Sequence, residues 1–180
     1  MTESNTFLQR LLGAAALDAA IYEEVEADRS ATGQALVVVL LSSLAAGVGG
    51  RGFVEPSIAH IAFISAVALI AWAAWALLTF EIGARILPGA ETRVDVGELL
   101  RTTGFAATPG ILRVFGVLPG VTRPVFAISA LWMLAAMVVG VRQALDYTST
   151  GRAIAVCVLG WTLAIAVAVV LSAVFGTPVS

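Results

Sequence analysis

The residue of this sequence best placed to do chemistry is Arg113. It is the only charge inside the otherwise uncharged stretch Thr102–Thr122. It follows Pro109-Gly110, a pair that breaks helices. A guanidinium in an apolar environment has two uses. It can contact an ion or substrate inside a helical bundle, at a cost of about 2.5–3.5 kcal/mol if held at mid-bilayer. Alternatively, its long stem lets the charge reach a nearby polar surface. Pro119 lies only a few residues away, and the segment is short, which favours the second use. Broken apolar helices of this kind also build substrate sites in transporters, usually in repeated halves. No internal repeat is present here.

The other reactive side chains are scattered. Glu23, Glu24, Glu26 and Asp28 form an acidic run. A solvated face, or pairing with Arg85, Arg93 or Arg101, explains it better than a metal site does. Asp146 lies between Arg142 and Arg152 and reads as a loop charge or cap. His60, the single histidine, falls near one end of an apolar stretch. The single cysteine, Cys157, can form no internal disulfide and has no second ligand nearby for a metal. There is no Ser/His/Asp set, metal-ligand spacing or phosphate-binding glycine loop. No catalytic residue, cofactor or metal is expected, and an enzyme is disfavoured.

The elements that must position these residues are apolar. The chain has 180 residues, 59% of them hydrophobic and 12% charged, against about 25% charged in soluble domains. No charge lies between Arg29 and Arg51, Glu55 and Glu81, Arg123 and Arg142, or after Arg152. Crossing a bilayer core takes about 20 apolar helical residues. The sequence therefore predicts an all-α membrane protein with five transmembrane helices, at about 33–49, 58–80, 104–118, 124–141 and 153–175. The third is short and helix-broken, and could be re-entrant. Trp72 and Trp75 are expected at headgroup level. Residues 81–101 read as the longest polar connection. A net charge of −2 gives no signal for nucleic acid.

Residues 1–30 read as a separate cytoplasmic amphipathic helix ahead of the bundle at 31–180. Phe7, Leu8, Leu11, Leu12, Ala15, Tyr22 and Val25 share one face at about 100° per residue. Ser30 and Thr32 are candidate N-caps for the first span. This N-terminal stretch is acidic, so it suits the protein's own basic loops better than anionic lipid. No cleavable leader is expected.

Orientation follows from the arginines. With the N-terminus inside, the inner segments hold Arg10, Arg29, Arg85, Arg93, Arg101, Arg142 and Arg152, and the outer segments only Arg51 and Arg123. This is the positive-inside pattern. Five spans then put the C-terminus outside. In the fifth span Gly160, Ala164, Ala168, Ser172 and Gly176 recur at every fourth position, a small-residue ridge for close helix packing. Its partner is either another span or a second copy of the chain.

The pattern resembles the bacterial branch of the Yip (Ypt-interacting protein) family over roughly residues 7–176. The resemblance rests on the Tyr22-Glu23-Glu24-Val25-Glu26-Ala27-Asp28 stretch before the first span, on Gly104-Phe105 with Pro109 in the third, and on Arg142-Gln143-Ala144-Leu145 before the last. It implies a five-helix membrane bundle with a cytoplasmic N-terminus. Eukaryotic members are linked to vesicle traffic and bind prenylated small GTPases. Their Leu-Tyr-Gly-Pro-like motif is missing here, Tyr22 being followed by Glu23 and Glu24, and their Gly-Tyr pair stands as Gly104-Phe105. The resulting expectation is a non-enzymatic protein of the cell (inner) membrane that organises membrane or binds a membrane or cytoplasmic protein partner. The alternative is a small transporter or channel-like protein using Pro109, Gly110 and Arg113.

Overall fold

The computed structural model describes residues 5–51, 58–89 and 92–175. Among these the chain is helical, with no strand. The helices are α1 (Phe7–Ala15), α2 (Ala19–Ala27), α3 (Ala31–Arg51), α4 (Ile58–Phe80), α5 (Val96–Phe105), α6 (Thr122–Ala144) and α7 (Thr150–Phe175). A π-helical turn, Glu81–Ile86, extends α4, and a 3₁₀ segment, Thr108–Val117, follows α5. Stretches within Ala31–Gly50, Ala66–Ile86 and Thr122–Ala144 are long and apolar enough to cross a membrane, and Thr150–Ala164 forms a shorter apolar helix.

The N-terminal thirty residues are two helices rather than one. Thr6 and Gln9 form a capping box on α1, and the Asp18 carboxylate accepts the Ala20 N–H to open α2. Between them Leu17 takes a left-handed φ of 62°, which turns α2 back along α1. Gly13 permits this close return: a Cβ there would lie 2.4 Å from Ile21 Cγ1. The reversal divides the face read as one. Phe7, Leu11, Tyr22 and Val25 join the core, whereas Leu8 and Leu12 are each 64% exposed. Ser30 immediately precedes α3, and Thr32 lies inside its first turn. Asp28 accepts both the N–H and the hydroxyl of Ser30, and Thr32 donates to the Arg29 carbonyl.

The polar connection is shorter than the sequence suggested. Helical backbone continues to Ile86, and a capping box of Asp95 with Glu98 starts α5 at Val96. The third apolar segment is a hybrid. Its α-helix ends at Phe105, and Pro109 lies in the first turn of the 3₁₀ segment. Proline thus starts a new element, a position where its missing N–H costs nothing. A 3₁₀ segment rises about 2 Å per residue, so ten residues cover about 20 Å. This run lies alongside α3 in the same direction. A Cβ on Gly104 would meet Ala35 at 2.7 Å, one on Gly110 would meet Ser42 Oγ at 2.1 Å, and one on Gly116 would meet the Gly49 carbonyl at 2.9 Å.

α6 closes the other side of the run, with Met133 against Gly110 and Gly140 against Tyr22 and Thr102. α4 and α7 complete the assembly. Trp72 and Trp75 both turn their indoles toward the neighbouring helices. Trp72 Nε1 donates to the Leu100 carbonyl at 3.1 Å and to Thr103 Oγ1 at 3.2 Å. Trp75 Nε1 donates to Met137 Sδ at 3.3 Å, and its ring packs edge-to-face on Trp161. An indole buried in an apolar bundle needs a hydrogen-bond acceptor, and α5 and α6 supply them.

Candidate functional site

The polar side chains converge where α1, α2, α5 and the end of α6 meet. Arg10 is the hub. It is 2% exposed, and it donates to Glu24 Oε1 from Nε at 3.0 Å and Nη2 at 2.8 Å, to Asp28 Oδ2 at 2.7 Å and to Gln34 Oε1 at 3.0 Å. A buried guanidinium requires partners of this number and charge. Burial alone would raise the Glu24 carboxyl, but hydrogen bonds from Asn5 and Arg10 hold it below its ordinary range. Hydrogen bonds from Ser30 and then Arg10 do the same for Asp28.

The acidic run therefore finds its arginine inside the N-terminal pair and not where the sequence suggested. Arg85 pairs with its own neighbour Glu81 at 3.0 Å, both of them exposed. Arg101 is buried and donates to the backbone carbonyls of Val25 and Glu26 rather than to a carboxylate. Arg101 thereby ties α2 to α5. Sequence reasoning missed Arg10. The available signal was Glu24 and Asp28, one helical turn apart, which a single guanidinium can bridge.

Tyr22 is fully buried and its hydroxyl donates to the Ala14 carbonyl at 3.2 Å. Burial pushes its phenol well above the ordinary value, so it packs and does not titrate. Glu23 is exposed and accepts from Gln143 Nε2 at 2.8 Å. Beside it opens a cleft of about 400 Å³ lined by Glu23, Glu26, Arg142, Gln143, Asp146, Tyr147 and Thr148. Glu26 is half-buried in its wall. Burial, then the Glu98 and Asp146 carboxylates, push its carboxyl up to about 7. Arg142 Nε donates to the Tyr147 carbonyl, and the Tyr147 hydroxyl bonds the Gly83 and Leu87 carbonyls. The cleft offers carboxylates and one guanidinium but no activated nucleophile. Among the described residues no cluster of His, Cys, Asp or Glu could hold a metal ion.

Gly104, Phe105, Pro109 and Gly110 are buried in the packing of the third run, and Phe105 stacks edge-to-face on Phe7 at 6.4 Å. Arg113 lies apart from Pro109-Gly110. Its carbonyl abuts Gly49 in the last turn of α3, and its guanidinium stands 5.5 Å over the Phe126 ring. A cation over an aromatic face gains about 0.5–2 kcal/mol. Arg113 is thus brought to the end of α3 and not to the middle of the bundle.

The fifth-span ridge divides. Gly160 packs on Trp75, where a Cβ would sit 3.0 Å from Cη2, while Ala164 is exposed. Its partner at Gly160 is therefore α4. The side chains of His60, Ala168 and Ser172, and all of Gly176, lie outside the described residues.

No curated protein and no solved structure matches this chain. The sequence profile of the Yip1 domain matches residues 18–171, from the N-cap of α2 to deep within α7. That range takes in the Arg101 tie, the cleft and the hybrid third run, and the chain belongs to the Yip1 domain family of helical membrane proteins.

Proposed function

We propose that this protein is a non-enzymatic, multi-pass protein of the cell (inner) membrane that organises membrane or holds a protein partner. Five helical runs serve as spans: α3, α4, α5 with its 3₁₀ extension, α6 and α7. The N-terminus faces the cytoplasm and the C-terminus the outside, a reading that the arginine distribution supports. Residues 1–30 then form the cytoplasmic-side element and 31–180 the bundle. The partner-facing surfaces are the acidic cleft, the loop around Arg93 and the exposed flank of α7 at Ala164, which also suits a second copy.

The observation that carries this reading is the closure at Pro109-Gly110. Gly110 is pressed between Ser42 and Met133 with no room for even a methyl group. The helix break, which could have opened a path for a solute, is filled by α3 and α6. Arg113 then serves as an anchor at the outer surface, its guanidinium over the Phe126 ring.

Gentle-detergent isolation with mass spectrometry of co-purifying proteins and lipids is the direct test. Arg113→Leu should leave folding and partner capture intact. Loss of a solute flux from reconstituted vesicles on that substitution would instead establish the transporter reading. A monomer carrying lipid alone would leave only membrane organisation.

A further inference from the structure

The bundle has apolar walls of unequal height. On the α4 side the uncharged helix Ile58–Phe80 rises about 34 Å, enough for a bilayer core of about 30 Å. Phe63, Val67 and Ile70 are exposed along it, Ile70 to 69%. The side carrying α1 and α2 is different.

α2 runs beside α6 in the same direction. Trp132 Nε1 bonds the Ala15 carbonyl at 2.7 Å, Gly140 meets the Tyr22 ring, and Gln143 bonds Glu23. Asp18, exposed at the turn between α1 and α2, therefore lies level with about Ala136. Ile128 continues the same α6 ridge (Gly140, Ala136, Trp132) beyond the turn and is 59% exposed, with Leu131 beside it at 68%. Arg123 closes the wall at the far end. From Asp18 to Arg123 the uncharged height is only about 20 Å.

A carboxylate at that level, exposed and with no cationic partner among the described residues, is costly to hold in hydrocarbon. A bilayer meeting a short apolar wall thins. We infer that the α1–α2 pair locally thins the leaflet in which it stands, so that lipid is short on the α6 side and of full height on the α4 side. Leu8 and Leu12, exposed on α1 below the turn, lie against the lowered lipid surface. The occupant of this face is therefore phospholipid, continuous with the lipid around Ile128 and Leu131. The inference deepens the membrane-organising reading and rests on it, but it does not depend on which side faces the cytoplasm.

The test uses the full chain with Cys157→Ser, reconstituted in phosphatidylcholine vesicles of defined acyl length. Spin labels are placed at Ala20→Cys, beside the turn, and at Ile70→Cys on the opposite wall. The label at residue 20 should collide several-fold more with a water-soluble nickel complex than the label at 70, and less with oxygen. Asp18→Leu should move the acyl length of greatest thermal stability toward longer chains. Oxygen-rich, nickel-poor signals at both sites would overturn the inference, since lipid would then be of full height on both sides. A nickel-accessible label at residue 20 with no change of acyl-length optimum in Asp18→Leu would also overturn it, placing the pair outside the bilayer. Should the thinning hold while protein partners alone prove to be the physiological ligands, only the membrane-organising reading would fall.

Discussion

Glu26 is a built-in destabiliser whose effect depends on pH. Its carboxyl is half-buried among Glu98, Asp146 and Glu23, and Arg101, which acts on it in the opposite sense, is committed to the backbone carbonyls of Val25 and Glu26. Burial and these like charges raise the folded-state value from 4.5 to about 7. A carboxyl raised on folding keeps its proton in the native state while the unfolded chain loses it. Stability therefore falls as pH rises from about 4.5 to about 7, and the penalty is constant above that. At about 1.4 kcal/mol per unit the ceiling is about 3 kcal/mol. Water in the cleft screens the charges, which brings the expected penalty to about 1–2 kcal/mol. Glu26→Gln removes the charge while keeping the shape. At pH 8 it should raise the midpoint of thermal unfolding in detergent, followed by circular dichroism, by about 2–8 °C. The gain should vanish near pH 4.5. An unchanged or lowered midpoint at pH 8, or a gain equal at both pH values, would refute this reasoning.

Three further outcomes follow from the packing. Arg10→Met leaves the Glu24 and Asp28 carboxylates without their cation and should cost about 3 kcal/mol at neutral pH. Adding Glu24→Gln and Asp28→Asn should restore part of it, read as midpoints of the same unfolding transition. Since Glu24 and Asp28 are held below their ordinary values, the stability that Arg10 confers is present above those values and is lost as pH falls below them. Gly110→Val forces two methyl groups into Ser42 and Met133 and should cost about 1–3 kcal/mol or more, whereas Gly120→Ala, where no atom lies within 4 Å but φ is +81°, should cost about 1 kcal/mol through strain alone.

The apolar runs were legible because hydrocarbon imposes a length and excludes charge. The second span was read at 58–80, and α4 occupies Ile58–Phe80. The N-terminal reversal was not legible. Apolar periodicity persists through Leu17, and only the Asp18 cap and the small Gly13 hint that the chain turns back. Arg10 was hidden for a related reason. On one continuous helix it faces solvent, and only the reversal makes it a buried hub. The partners of Trp72 and Trp75 were not legible, because proximity to a span end says nothing of whether an indole points to lipid or to a neighbour. In the last span Gly160 packs on Trp75 of α4, a partner that the spacing of small residues alone could not name. Arg113 was legible as an anomaly, and its use depended on how far the 3₁₀ rise carries it along α3.

The central claim of the proposed function is that the third run crosses the membrane beside α3, with the acidic cleft inside and Arg113 outside. Single cysteines at Arg93, Pro119 and Thr148, in the Cys157→Ser background, test it with a membrane-impermeant maleimide applied to intact cells. The account predicts labelling at Pro119 alone, with Arg93 and Thr148 labelled only after permeabilisation. Labelling at Arg93 and Thr148 with Pro119 protected would reverse the orientation, and protection of all three until permeabilisation would contradict the crossing itself.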